Sequence, residues 1–490
     1  MHSGRWPEQQ RRGPDRPMKA EKSPNMLLWI AAVGFFMQTL DATIVNTALP
    51  AMAQSLGESP LRMQSVVIAY SLAMAMLIPA SGWLADRFGT RRVFLSALIL
   101  FTFGSLLCAY SPNLTFLAAS RVVQGIGGAM LLPVGRLAVL RAFPREKFLH
   151  AMSLVTIPGL IGPLVGPTLG GWLVQFASWH WIFLINLPVG IIGCLATIAY
   201  MPDSRAPLAA RFDIGGYLLL ALSMITISLS LDSLSEFAMR GATVLILLIF
   251  GLLCLAAYWL RAARRPDPLF PLELFKIETF TVGVLGNLFA RIGSGSMPFL
   301  IPLLLQLTLG YTPLEAGMMM IPVAIAGILI KRIGTPLIKR AGYRKVLILN
   351  TVLAGLTIAS FALISPAQPS WLRLLQLAFF GAVNSLQFTA MNTLTLKDLE
   401  GAHASSGNGL LSMVMMLSMS LGVATAGALL ATFSGLFGHD HANQSLPAFH
   451  ASFVCMGFIT AATAWIFWQL SPDIKTPEKP EKQEVETEIA

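Results

Sequence analysis

The chain contains few charged residues. Asp, Glu, Lys and Arg together make up 12% of its 490 residues, whereas 55% are hydrophobic and the mean hydropathy is +0.68. Soluble domains carry roughly 25% charged residues. The composition therefore excludes an ordinary soluble domain and indicates a protein that crosses a membrane many times.

Features of metal sites, disulfide frameworks and nucleotide sites are also lacking. The four cysteines lie in apolar runs without the pair spacing of a metal site, so we expect small packing residues and no structural disulfide. The histidines show no ligand spacing, so neither a metal nor another cofactor is expected. No Gly-Lys-Ser/Thr phosphate-binding loop occurs, which disfavours transport driven by ATP.

Long apolar runs dominate what is present. A transmembrane helix needs about 20 apolar residues, and fourteen runs of suitable length occur. We therefore predict an all-α membrane protein with fourteen transmembrane helices. The predicted spans are 27–49, 64–84, 93–111, 115–137, 151–175, 180–200, 214–232, 242–260, 280–304, 314–333, 345–365, 371–395, 408–433 and 451–469.

Basic residues are distributed unequally between the two sides of these spans. Nineteen Lys and Arg follow even-numbered spans, but only three follow odd-numbered spans. By the positive-inside rule the side with nineteen basic residues is cytoplasmic. The even number of spans places both tails, 1–26 and 471–490, on the same side. Because this topology explains most of the net charge of +10, nucleic acid is not expected as a partner.

Two loops reveal an internal repeat at an offset of 253 residues. The loop after span 2 and the loop after span 10 share five identical residues, Leu84, Arg87, Gly89, Arg91 and Val93 against Leu337, Arg340, Gly342, Arg344 and Val346. We predict an N-terminal six-helix bundle at 27–200 and a C-terminal one at 280–470. Two linker helices within 201–279 are expected to pack outside them. Such repeats, with a site between them, are typical of secondary transporters.

Span 5 contains an unusual run, Gly-Pro-Leu-Val-Gly-Pro-Thr-Leu-Gly-Gly, at 162–171. Unpaired backbone groups in hydrocarbon cost several kcal/mol, so the chain is expected to stay helical there. Gly162, Gly166 and Gly170 recur every four residues and would let a neighbouring backbone approach closely, while the prolines favour a bend. We expect a closely packed, bending helix in a protein that changes shape.

Four motifs in the first half resemble those of the major facilitator superfamily, specifically its fourteen-span drug:proton antiporters. They occupy 40–50, 82–92, 121–129 and 162–171, and the similarity extends over about 27–470. Two positions depart from the family's usual pattern. Thr90 in the loop motif stands where a basic residue is usual, and His180 in the further motif Trp-His-Trp-Ile-Phe-Leu-Ile-Asn at 179–186 stands where arginine is usual.

The resemblance implies a transporter and not an enzyme. It implies a monomer in the lipid bilayer of the bacterial inner membrane that exports small molecules in exchange for protons by alternating access, most simply in multidrug efflux.

The resemblance also implies roles for two of the motifs. The loop motif would form a cytoplasmic gate whose contacts break when one half rocks, and its residues are Gly82, Asp86, Arg87, Gly89, Arg91 and Arg92. The span-5 run would be the antiporter motif, with Gly162, Gly166, Pro167, Gly170 and Gly171.

Asp41 is the only carboxylate well inside a span of the two bundles. An acidic residue within the membrane is a functional candidate by default, although a hydrogen-bonded structural Asp is the alternative. Arg121 of span 4 falls at a similar depth, given a rise of about 1.5 Å per residue. We hypothesise that Asp41 and Arg121 couple proton entry to export. A permanent structural salt bridge is the alternative.

Arg291 lies near the middle of span 9, without an acidic residue in that span. It faces either a water-filled cavity or backbone carbonyl groups, and with Gln124 we assign it to the substrate cavity. The excess of buried positive charge leaves open an exporter of an anionic metabolite or metal chelate. From another class, a transporter-like membrane sensor is the remaining alternative.

Overall fold

The computed structural model describes residues 24–143, 145–205, 212–233, 241–399, 401–437 and 446–471. The elements within these ranges are helices, and no strand occurs among them. In a bilayer a helix satisfies its backbone groups within one segment, which explains why apolar runs of this length fold in this way. The predicted all-α class is confirmed. The predicted tails fall almost wholly outside the described residues.

Within the described ranges, fourteen helices have fifteen residues or more, and each overlaps one predicted span. We number them by span: α1 Pro24–Ile44, α2 Gln64–Phe88, α3 Thr90–Ala109, α4 Leu114–Ala142, α5 Arg145–Phe176, α6 Asn186–Tyr200, α7 Ile214–Ser233, α8 Gly241–Arg264, α9 Glu278–Leu307, α10 Ile321–Ala341, α11 Tyr343–Ser360, α12 Ser370–Leu396, α13 Gly401–Phe437 and α14 Leu446–Ala462.

The number of membrane crossings is established only in part. In the described part of the chain, thirteen helical segments are long and apolar enough to cross a membrane. The segment α5, with 32 residues, contains the fifth predicted span but is not among those thirteen. It remains one continuous helix through Pro163 and Pro167. The total of fourteen spans stays a prediction.

The long helices associate in two groups. In the first half, which comprises α1–α6, α1 packs on α5 and α4 packs on both α2 and α3. In the second half, which comprises α9–α14, α9 packs on α13, α10 on α12 and α11 on α14. The two halves also touch directly where α2 lies against α13.

The bundle has two chemically different ends. The basic end carries Arg87, Arg141, Arg340 and Arg344, and the opposite end carries Thr47 and Pro313. At the opposite end the short helix Pro313–Met319 packs against α5. Gln306 Nε2 there donates to the Thr47 carbonyl at 3.0 Å. An apolar cluster with members from both halves fills the same region, so the halves are joined at the opposite end.

The linker helices differ in their surroundings. On α7, Ser228 makes a buried hydroxyl contact of 2.9 Å with Ser420 of α13, and Asp232 accepts a 2.8 Å hydrogen bond from Gln64 of α2. The α8 helix is mostly exposed. The expectation that both linkers pack outside the two bundles stays a prediction, and α7 has polar contacts with both halves. Its polar side chains need protein partners in an apolar medium, and both halves supply them.

Candidate functional site

Asp41 lies three residues before the end of α1, and its side chain is completely buried. Arg121, on α4, is 1% exposed. Its Nη1 lies 2.6 Å from Asp41 Oδ2, so the structure brings the two predicted charges into one ion pair. A buried charge requires such a partner, because an isolated ion in a medium of low dielectric constant is strongly destabilised.

Gln124, one turn beyond Arg121 on α4, completes a closed set of hydrogen bonds. Its Oε1 accepts from Arg121 Nη1 at 2.6 Å, and its Nε2 donates to Asp41 Oδ1 at 2.7 Å. Sequence reasoning placed Gln124 in the substrate cavity. In the structure it is fully buried and contacts both members of the ion pair.

Two neutral residues extend this set. Asn186 of α6 donates to Asp41 Oδ1 at 3.3 Å and to Ser105 Oγ of α3 at 3.2 Å. Ser105 Oγ also accepts from Gln124 Nε2 at 2.8 Å. Asp41 thus receives hydrogen bonds from Arg121, Gln124 and Asn186. We call the five residues Asp41, Ser105, Arg121, Gln124 and Asn186 the Asp41 network.

The guanidinium of Arg121 is held by α2 as well. Its Nε donates to the Val66 carbonyl at 3.3 Å, and its carbon lies 4.0 Å from the centre of the Tyr70 ring. The centre of the Phe183 ring lies 5.8 Å from the same guanidinium carbon. Such cation–π contacts strengthen when water is excluded. Sequence reasoning missed Tyr70, Ser105 and Asn186. Only Asn186 had a signal, as the last residue of the motif that contains His180.

A cavity of about 90 Å³ adjoins Arg121. Gln38 and Tyr70 line it in the first half, and Met416 and Met419 of α13 line it from the second half. Asp41 and Gln124 are not among the lining residues and lie behind Arg121. The cavity therefore lies between the halves and meets the Asp41 network at Arg121.

The glycines of the antiporter motif bring α5 close to α1. A Cβ at Gly162 would collide with Thr39 Oγ1, one at Gly166 with Thr43 Oγ1, and one at Gly170 with the Ile44 carbonyl. These contacts surround the segment of α1 that carries Asp41. Two hydroxyl groups also donate hydrogen bonds to α5. Thr43 Oγ1 donates to the Gly162 carbonyl at 3.4 Å, and Thr47 Oγ1 donates to the Pro167 carbonyl at 3.2 Å.

Gly171 faces a different neighbour. A Cβ there would meet the Pro313 carbonyl of the second half, and a Cβ at Gly317 would meet the Pro167 carbonyl of the first half. Thr168 Oγ1 donates to the Gly317 carbonyl at 3.3 Å across the same contact. Three glycines of the motif thus pack α5 against α1. The fourth, Gly171, contacts the second half at the opposite end.

The predicted gate residues cluster at the basic end. Asp86, near the end of α2, pairs with Arg141 of α4, both in the first half. Arg87 lies over the Trp83 ring at 5.7 Å, and Gly89 has a φ of +97°, which favours glycine. Gly82 and Arg92 are exposed, and Arg91 is half-buried. The ion pair therefore braces two helices of one half.

The structure explains the departure at Thr90. This side chain is fully buried, donates to the Pro202 carbonyl and accepts from the Ser204 amide, each at 3.3 Å. A long basic side chain would have to be buried in its place. Thr90 instead connects the start of α3 by hydrogen bonds to residues 202–204, which follow α6.

His180 replaces the other usual residue of the family. It stacks on Trp179 with ring centres 3.8 Å apart, and its Nδ1 lies 3.3 Å from Ser178 Oγ. Burial lowers the pKa of His180 below its ordinary value of about 6.5. The lowered pKa favours the neutral imidazole, which does not reproduce the charge of an arginine.

Arg291 lies apart from the Asp41 network, in the second half. Its guanidinium stands over the Phe388 ring of α12 at 4.8 Å, and the residue is half-buried. Within the described residues it has neither a carboxylate partner nor a carbonyl acceptor. The structure thus separates Gln124 and Arg291, which sequence reasoning had grouped.

With this geometry in place, comparisons with known proteins identify the family. A model of the Major Facilitator Superfamily matches residues 31–423. The chain belongs to this superfamily. The resemblance seen in the motifs is therefore confirmed, and the protein is a multi-span membrane transporter, not an enzyme.

Bacterial relatives are similar over nearly the whole chain. The "Putative multidrug resistance protein MdtD" of Serratia proteamaculans (strain 568) is 52% identical over 463 residues, which cover 94% of this chain and 96% of the relative. The protein of the same name from Yersinia enterocolitica serotype O:8 / biotype 1B is 52% identical over 455 residues, 92% of this chain and 96% of the relative.

Solved structures share the fold at low sequence identity. The crystal structure of a D-xylose-proton symporter matches with a TM-score of 0.66 and 14% identity, over 92% of this chain and 99% of that chain. The human organic anion transporter MFSD10 (TETRAN) matches with a TM-score of 0.58 and 15% identity, over 91% and 99%. This similarity establishes the fold alone.

Proposed function

We propose that the protein is a proton-coupled antiporter that exports small molecules by alternating access, most simply in multidrug efflux. The Asp41 network is the observation that carries this proposal, because it holds a single carboxylate, wholly buried, where protonation would change every bond around it. The names of the bacterial relatives support multidrug export. Neither the anion exporter nor the membrane sensor is favoured by them.

Protonation of Asp41 would act through Arg121. A neutral carboxyl group no longer balances the buried guanidinium, which then gains from moving towards water or another acceptor. Because the antiporter glycines fix α1 to α5, and Gly171 meets the second half, a shift of α1 reaches the contact between the halves. Release of the proton restores the ion pair. The cycle thus couples one proton site to the relative position of the halves.

We place the basic end in the cytoplasm, with both termini on that side of the bacterial inner membrane. The distribution of Lys and Arg supports this orientation. The opposite end is then periplasmic, and the state described is closed to the periplasm. Because one chain supplies the complete Asp41 network, we propose that the monomer is the working unit.

We also assign one region to substrate contacts and another to the cytoplasmic gate. Arg291 and Phe388 present a cation and an aromatic face to the path of an amphipathic substrate in the second half. Asp86 and Arg141 would hold α2 and α4 as one rigid unit of the gate. Rocking of the halves would then move the gate motif as a body.

The decisive experiment uses proteoliposomes with an imposed pH gradient and ethidium as a lipophilic cationic probe. We expect wild-type protein to drive ethidium transport and to release protons when ethidium is added. Asp41→Asn should lower gradient-driven transport at least tenfold, because the side chain cannot carry the proton, yet it should retain ethidium exchange without a gradient.

Glu58→Gln, at a half-buried carboxylate that pairs with Arg62 outside the Asp41 network, is the matched control and should behave as wild type. Full gradient-driven transport by Asp41→Asn with unchanged proton release would refute the coupling role. Transport of organic anions, insensitive to lipophilic cations and lost in Arg291→Gln, would refute the drug-export proposal.

A further inference from the structure

The cavity beside Arg121 is too small for the proposed cargo. Its volume is about 90 Å³, whereas pockets for small organic ligands measure roughly 300–1,000 Å³. One water molecule needs about 10–15 Å³ by this kind of measure. In this state the cavity therefore fits several water molecules and excludes a drug-sized molecule.

The wall of the cavity contains polar groups suited to water. Gln38, Tyr70, Ser71 and Arg121 line it among apolar residues. In the described part of the chain, the buried Oε1 of Gln38 has no hydrogen-bond partner. Leaving a buried acceptor unpaired costs about 1–3 kcal/mol. A water molecule in the cavity would satisfy this amide oxygen.

The position of Gln38 relates the cavity to the proton site. It precedes Asp41 by three residues on α1, so the two side chains project from neighbouring positions of one helix face. Arg121 lies between them, since it lines the cavity and also binds Asp41. Water held by Gln38 would therefore reach the carboxylate once Arg121 moves.

The far wall links the cavity to the conformation of the protein. Met416 and Met419 belong to α13 of the second half, whereas the polar wall belongs to α1, α2 and α4. Separation or closure of the halves must change the volume between these walls. Access of water to Arg121 would thus depend on the state of the transporter.

We propose that this cavity is a water vestibule through which Asp41 exchanges its proton, and that Gln38 is the residue that positions its water. The inference rests on the proposed proton antiport. In the loading step a hydronium ion in the vestibule transfers its proton to an Asp41 oxygen, which forms one O–H bond and leaves neutral water. Release runs in reverse, with water accepting the proton.

Gln38→Leu tests this proposal, because it removes the amide and keeps a side chain of similar bulk. We expect proton release on addition of ethidium, and transport driven by a pH gradient, to fall at least fivefold in proteoliposomes. Ethidium exchange without a gradient should stay within twofold of wild type. Gln38→Asn, which keeps an amide, should restore part of the coupled rate.

Met74→Leu is the matched control, since Met74 lines the same cavity without a polar group, and it should leave both rates unchanged. A parallel loss of exchange and coupled transport in Gln38→Leu would indicate a structural role and overturn the proposal, as would full coupled transport. If Gln38→Leu does not fold, Met416→Phe fills the cavity from α13 and should give the same selective loss. Absence of proton release in wild type would instead refute the antiport itself.

Discussion

At the scale of single residues, the Asp41–Arg121 pair depends on the shape of a guanidinium. Arg121 Nη1 contacts both Asp41 and Gln124, while its Nε reaches the Val66 carbonyl and its flat face lies on Tyr70. A lysine carries its charge at one point and lacks the planar fork. The site thus selects arginine by geometry as well as by charge.

We therefore expect Arg121→Lys to lose most activity despite its retained charge. Coupled transport should fall at least tenfold, because the ammonium cannot hold Asp41, Gln124 and Val66 at once. Removing one partner of a buried ion pair costs about 3–5 kcal/mol, so a partial loss of stability should lower the melting temperature in detergent. Arg205→Lys, at an exposed ion pair with Asp203, is the control. Equal activity of the two variants would show that charge alone suffices.

At the scale of helices, the glycine run of α5 acts as a platform for α1. Gly162, Gly166 and Gly170 each lie against α1, where a Cβ would enter space held by threonine or backbone atoms. Close backbone approach through small residues is a main source of helix association in membranes. The antiporter motif thus sets the position of the helix that carries Asp41.

Gly166→Val should separate these helices. Its side chain would overlap Thr43 Oγ1, and overpacking of this kind costs typically 1–3 kcal/mol. We expect a lower melting temperature and a loss of proton-coupled transport of at least fivefold. Gly409→Ala provides the comparison, because among the described residues no atom outside the adjoining backbone lies within 4 Å of a Cβ placed there. Wild-type transport by Gly166→Val would contradict the role of this contact.

At the scale of the whole molecule, the halves are joined at the opposite end and along α2 and α13. The linker helix α7 adds bonds to both, through Gln64 and Ser420. Motion that opens the opposite end would therefore break the contact between α5 and the helix Pro313–Met319 and rearrange α7.

A crosslink across the opposite end tests this motion. Gln175 Oε1 accepts from the Leu314 amide at 3.3 Å, so Gln175→Cys and Leu314→Cys would lie within reach of a short bifunctional thiol reagent. In a background without the four native cysteines, we expect the crosslinked double variant to lose transport. Each single variant should keep it after the same treatment. Undiminished transport by the crosslinked protein would exclude opening at this end.

Part of the site could be predicted from the sequence because charge is rare inside a membrane. Asp41 and Arg121 stand out among apolar residues, their depths match, and buried charges must pair. Ser105, Asn186 and Tyr70 gave weak signals or none, since such residues also occur in helices without any role. Likewise, the spacing of Gly162, Gly166 and Gly170 predicted a close neighbour but did not identify α1.

The sequence by itself determined the all-helical membrane fold, its repeat and its superfamily. The reason is that hydrocarbon imposes helices on long apolar runs and makes each internal charge conspicuous. Only the tertiary structure decided which polar groups complete the Asp41 network, that Gly171 meets the second half while its neighbours meet α1, and that α7 contacts both halves. Those contacts join residues far apart along the chain, and their partners depend on how the helices cross in space.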